Sequence, residues 1–174
     1  VEARHVLVQR NHIDAALRES IEPFYQRLAA AGLGAPDANR LSDVVSCPGA
    51  ESCRLAVTQS RGLGRELTEH LSARPELVDL VPSGHIKISG CPNGCGQHHI
   101  ASIGFQGSVR KLGPRAVPQY FVLVGGGCVD EGTAHFGKVV AKVPVHRLTD
   151  ALDRLLDLYR DHREGDEELG AFFR

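Results

Sequence analysis

Two pairs of cysteines limit this chain's fold more than anything else in it. The first is Cys47-Pro-Gly-Ala-Glu-Ser-Cys53; after a gap of 37 residues comes Cys91-Pro-Asn-Gly-Cys95. Each pair sits in a short segment rich in Pro and Gly. Proline stiffens a loop and donates no backbone hydrogen bond, while Gly49, Gly94 and Gly96 can take conformations that other residues avoid. Two such loops, brought together by the fold, would supply the four thiolates that a 4Fe-4S cube needs. A structural zinc site also uses four cysteines in two pairs, and its usual spacing of two to four intervening residues fits the first pair poorly. The fifth cysteine, Cys128, follows Gly125-Gly126-Gly127 with no thiol near it in sequence and reads as a small buried or loop residue. The three glycines read either as a close backbone approach, to a cofactor edge for instance, or as a plain turn.

Composition removes other classes. Net charge is −1 with a pI near 6.8, so no basic footprint points to nucleic acid or an anionic membrane surface. Aromatic residues make up 5% and Trp is absent, which leaves little for base stacking. No stretch approaches the roughly 20 apolar residues of a membrane helix, and the charged start lacks a signal-peptide core. The expected compartment is the cytoplasm, where disulfides are disfavoured.

The pattern along the chain predicts a strand over 4–9 and a helix over 13–28, with apolar residues at 13, 17, 21, 24 and 28. Pro23 inside it predicts a kink or two short helices, and Gly32 and Gly34 predict its end. Leu41 to Ser46 reads as an extended lead into the first cysteine loop. A helix capped by Ser52 is expected next, with Leu55, Ala56, Leu63, Leu67 and Leu71 on one face and its positive end beside Cys53. Gly62 and Gly64 cost about 1 kcal/mol each there relative to Ala. Pro75 to Gly84 reads as a loop. Strands are expected at 85–89, 100–105, 119–124 and 138–143, and a last helix at 146–162 with Leu148, Leu152, Leu155, Leu156 and Tyr159 on its apolar stripe. The whole is expected as one domain over 1–174, α/β (α+β), a mixed β-sheet with flanking helices.

The second loop, Ile88-Ser89-Gly90-Cys91-Pro92-Asn93-Gly94-Cys95-Gly96, resembles the cluster loop of the sirohaem-containing sulfite and nitrite reductases. The likeness extends through Gln97 to Gly107, "YFVLVGG" from Tyr120 to Gly126, and "GDEELGAFF" from Gly165 to Phe173. It implies that Cys47, Cys53, Cys91 and Cys95 bind a 4Fe-4S cluster. It also implies that the Cys95 sulfur is shared with a sirohaem iron, which makes Cys95 the catalytic position. Asn93, Gly94 and Gln97 are the expected cofactor-binding residues, the two amides as hydrogen-bond donors to cluster sulfurs or the macrocycle, with Asn93 as a simple turn residue the alternative.

The family's reductases are longer and have two related halves, of which this chain resembles the C-terminal one. With no Met and a start at Val1, it is expected to be an excised piece, inactive without the N-terminal half. The implied partners are that missing half, an electron donor (ferredoxin or a flavoprotein), and sulfite or nitrite, each reduced by six electrons. A cluster-only electron-transfer module and a zinc-stapled domain remain the alternatives. His98 and His99, as neighbours, point in different directions, so at least one is expected on the surface. Arg110, Lys111 and Arg115 are expected in a loop between strands, either solvated or facing sirohaem carboxylates.

Overall fold

The computed structural model describes residues 15–34, 38–81, 83–128 and 134–174. The strand expected at 4–9 lies outside them. Two compact units divide the chain, Val1–Ala38 and Asn39–Arg174, and every cysteine belongs to the second.

In the first unit, helix α1 (Ala15–Ala30) runs through Pro23 as one element, so the pair of short helices is not formed. Its end is set by Gly32 at φ +74. The Gly32 N–H donates to Ala29 O at 3.0 Å and the Leu33 N–H to Leu28 O at 2.8 Å, the two bonds of a glycine-terminated helix end.

The second unit is built on a five-stranded mixed sheet in the order β1 (Val45–Ser46), β2 (Ile86–Ser89), β3 (Ile103–Leu112), β4 (Arg115–Val124), β7 (Lys138–Pro144). Pairings β1–β2 and β2–β3 are parallel; β3–β4 and β4–β7 are antiparallel. Strands β5 (Gly127–Cys128) and β6 (Ala134–His135) form a separate ladder. Side chains alternate across a strand, which puts Ile86, Ile88, Ile103, Phe105, Tyr120, Val122 and Val124 on one face, all buried. Against that face pack Leu63, Leu67 and Leu71 of α2 (Ser60–Ser72), Leu77 and Val78 of α3 (Pro75–Leu80), and Leu148, Leu152, Leu156 and Tyr159 of α4 (Leu148–His162). Each leucine taken fully out of water contributes about 1.5–3 kcal/mol. A last turn, α5 (Leu169–Phe172), closes on the same core through Leu169.

Three expectations change. The first long helix of this unit begins at Ser60, not Ser52: residues 49–51 make a single 3-10 turn and Leu55 is 71% exposed. Its apolar period holds only from Leu63 on. Pro75 opens a short helix rather than a loop, because proline is well placed at a first helical position, where its missing N–H costs nothing. Strands β3 and β4 are each ten residues long and turn at Gly113, φ +59. Arg110, Lys111 and Arg115 therefore lie on strands, not in a loop.

Candidate functional site: two cysteine loops on one strand end

Cys47 follows β1 directly, and the ladder continues through it, with the Cys47 N–H donating to Ile88 O at 3.0 Å. Its sulfur accepts the Gly90 N–H at 3.2 Å and lies 3.1 Å from Ser60 Oγ. The single Ser60 hydroxyl proton has a second acceptor within reach, Cys47 O at 2.8 Å. Ser60 is the first residue of α2, so the partial positive charge of that helix end falls beside Cys47 and not Cys53 as expected. Burial pushes the Cys47 thiol up, but the bonds from Ser60 and Gly90 outweigh it and hold the thiol below its ordinary value. This sulfur is prepared to be a thiolate.

Gly90 joins the two loops. Besides its bond to Cys47, its carbonyl accepts the N–H groups of Val57 and Thr58 at 2.9 and 3.2 Å and the Thr58 hydroxyl at 3.3 Å. Within the first loop, the Ala50 N–H donates to Thr58 O and the Cys53 N–H to Gly49 O, each at 2.9 Å. This knot lies directly over Gly107 of β3, where a Cβ would overlap Thr58 Oγ1 and Gly90 O.

On the opposite face of the same strands, the second loop folds back. The Gln97 N–H closes a turn on Gly94 O at 2.7 Å, with Gly94 at φ +73 and its open side covered by the His99 ring. Gln97 is itself left-handed at φ +59, a strained state for a residue with a Cβ. Its Oε1 accepts from Lys87 Nζ at 2.8 Å, which leaves its amide N–H groups to donate outward. Asn93 and Cys95 are exposed, Cys91 is buried, and Cys47 and Cys53 are half-buried.

These four cysteines are free thiols. Zinc would draw its sulfurs to about 2.3 Å from one ion, whereas a cube spreads four thiolates over four irons. Among the described residues, no three His, Cys, Asp or Glu side chains converge as ligands of one ion. The donor set is of the kind a cube takes: a Cys47 sulfur held by the Gly90 N–H, a buried thiol on the next residue, Cys91, and glycine clearance around the loops. An exposed Cys95 fits a sulfur that also meets a second cofactor from outside.

Sequence reasoning missed His98, which is fully buried; His99 is the exposed member of the pair. It also missed Thr58, Ser60, Gly90 and Gly107 as the knot. Glycines at 104 and 107 inside a strand pattern were the available signal, since such residues mark a close backbone approach. Gly125 and Gly126 make an approach too, but to their own chain: a Cβ on Gly126 would crowd the carbonyls of His99 and Ala101, and one on Gly125 that of Phe173. The backbone of Cys128 lies in β5, and its side chain is outside the described set.

Comparison with known proteins defines the class. The profile of the nitrite and sulphite reductase 4Fe-4S domain matches residues 37–171, and the chain belongs to this family, whose cofactors are a 4Fe-4S cluster and sirohaem. Among its relatives is a protein named sulfite reductase (ferredoxin) from Mycobacterium tuberculosis, 30% identical over 150 residues, covering 83% of this chain and 27% of the relative. An assimilatory ferredoxin-dependent nitrite reductase from Haloferax mediterranei is 30% identical over 119 residues, covering 68% of this chain and 20% of the relative. The solved structure of the Mycobacterium tuberculosis NirA protein superposes with a TM-score of 0.67 at 25% identity, over 86% of this chain and 28% of that one. This chain spans between a quarter and a third of the length of the first of these relatives. The fold, a mixed sheet with helices, is that of the family's domain. Among the described residues no helix is long and apolar enough to cross a membrane.

Proposed function

We propose that this chain is the cluster- and sirohaem-binding part of a cytoplasmic sulfite or nitrite reductase, and that 1–174 works as one functional piece. Cys47, Cys53, Cys91 and Cys95 are the cluster ligands, and Cys95 shares its sulfur with the sirohaem iron. The observation that carries this reading is the Gly90 knot, which ties the first cysteine loop to the residue before Cys91 while leaving Cys95 open to solvent. When bound, the two cofactors supply single electrons toward the six-electron reduction of sulfite to sulfide or nitrite to ammonia.

The chain's own residues provide the seat. Gly90 and Ser60 stabilise the Cys47 thiolate, and a hydrogen bond to a ligating sulfur tunes the potential of its cluster. Lys87 holds the carbonyl end of Gln97, so that the amide nitrogen is left to donate toward the cofactors; Asn93 and Gly94 complete the rim. The chain needs the N-terminal half of the reductase to bind and reduce its anion, and ferredoxin or a flavoprotein to deliver electrons. The ferredoxin in its relatives' names supports the former donor.

Anaerobic purification followed by a visible spectrum and iron and sulfide analysis tests the assignment. Four irons with acid-labile sulfide and haem bands support both cofactors. A cluster without haem bands reduces the chain to an electron-transfer module, and bound zinc in a colourless protein overturns the reading.

A further inference from the structure

His98 is completely buried beside the loop that ends in Cys95, and the family resemblance assigns it nothing. Its position follows from the sheet. Ser89 of β2 and Gln106 of β3 are register partners in parallel strands and share the face opposite the leucine core. Two residues before Gln106 on the same face, Gly104 leaves room that a Cβ would close, since it would overlap His98 O. The 3-10 turn His98–Ile100 settles into that room, and the imidazole spans the two polar side chains. Nδ1 lies 2.8 Å from Ser89 Oγ and Nε2 lies 3.1 Å from Gln106 Oε1.

The chemistry of the partners sets the proton positions. A carboxamide oxygen only accepts, so Nε2 carries the ring proton and donates it to Gln106. Nδ1 is then a lone pair, and the Ser89 hydroxyl donates to it. With its proton committed, Ser89 Oγ presents a lone pair to the N–H of Gly96, 3.0 Å away. The result is a directed chain from Gly96 N–H through Ser89 and His98 to Gln106, and it starts on the residue next to Cys95. Burial and the stacked His99 ring, 3.9 Å away, hold His98 below its ordinary pKa and so in the neutral form this chain uses.

We propose that His98 is a positioning residue for Cys95: its neutral Nε2–H tautomer orients the Ser89 hydroxyl, which fixes the Gly96 amide and with it the direction of the Cys95 sulfur. This rests on Cys95 being a cluster ligand. Without the imidazole, Ser89 can turn its proton toward Gly96, and the amide loses its acceptor.

The test uses the anaerobically purified chain and three variants, Ser89→Ala, His98→Phe and His98→Asn, each checked for a folded thermal transition. Two readouts are taken: hydrogen exchange at the Gly96 amide and the EPR spectrum of the reduced cluster. Ser89→Ala and His98→Phe are expected to speed Gly96 exchange about tenfold, the change expected of one lost hydrogen bond of upper ordinary strength, and to shift the EPR g-values with four irons retained. Asn places a carbonyl oxygen where Nδ1 lies, so His98→Asn is expected to restore both readouts. Wild-type exchange and spectra in Ser89→Ala, or in His98→Phe while Ser89→Ala changes, overturn the role of His98. If His98→Phe does not fold, nitrogen NMR of the wild-type ring decides: a proton on Nδ1 instead of Nε2 overturns the proposal. A wild-type chain that binds no iron at all defeats the cluster reading, whereas Gly96 exchange still judges the hydrogen-bonded chain.

Discussion

Two regions of the second unit are held by different physics. Around α2 and α4 the contacts are leucine on leucine: Leu67, Leu71, Leu148, Leu152 and Leu156 are wholly buried. At the cysteine loops the contacts are main chain on main chain. There Gly90, Gly96, Gly104 and Gly107 each have another backbone group where a Cβ would stand, and directional hydrogen bonds replace apolar area. A side-chain core tolerates repacking at modest cost. A knot of carbonyls and N–H groups has fixed directions and no slack, which suits a seat for a rigid cluster.

Five substitutions would break or sharpen that contrast. The largest effect is expected from Cys95→Ser in the intact reductase, which should abolish electron coupling and turnover; unchanged turnover would remove Cys95 from the bridging role. In the helical layer, Leu156→Ala should cost about 2–5 kcal/mol in chemical unfolding, yet leave the EPR spectrum of the folded fraction unaltered. At the knot, Gly107→Ala should cost less stability, about 1–3 kcal/mol from overpacking, but should sharply lower iron content. If Leu156→Ala strips iron while Gly107→Ala spares it, the division of labour fails. Gly62 of α2 makes only ordinary contacts at its Cβ position. Gly62→Ala should therefore raise stability by about 0.4–1 kcal/mol, opposite in sign to Gly107→Ala. Replacing Cys128 by Ser should leave four irons in place, and a loss would enlarge the ligand set.

A pH titration separates the two regions again. His98 has a folded pKa below its unfolded value of 6.5, so the unfolded chain binds more protons between the two. Its contribution is complete above pH 6.5 and is lost as pH falls through that value and the lower folded one. Between α2 and α4, Asp153 meets His70 Nε2 and Arg74, each at 2.7 Å. Burial pushes its carboxyl up, but these partners outweigh it and bring the pKa below the usual 3.8. That contribution is present above pH 3.8 and disappears only as pH drops further. Thermal melts should thus lose stability in two steps, the first from the His98 side; a single loss confined below pH 4 would contradict the burial of a neutral His98.

The elements were unevenly legible. Helix α4 was readable because one leucine stripe at period 3.6 has only one way to be buried, and β2 because its alternation matches a strand with two different faces. The start of α2 was misread because Leu55 and Ala56 extend the apolar period by chance, while the chain there is committed to bonding Gly90. Arg110 and Lys111 were placed in a loop because charges at the exposed end of a long hairpin give no alternation to follow.

The cysteine spacing and its glycine-rich setting pointed to the chemistry, a 4Fe-4S cluster, which the match to the nitrite and sulphite reductase 4Fe-4S domain supports, since ligand type and turn chemistry are local properties written in consecutive residues. Which partners surround those loops was settled in three dimensions. Cys47 meets Gly90 across 43 residues, Gly107 provides the clearance, and His98 finds Ser89 and Gln106 only because β2 and β3 run parallel in register. Such pairings depend on strand order and on the space left by absent side chains, and neither has a period along the chain.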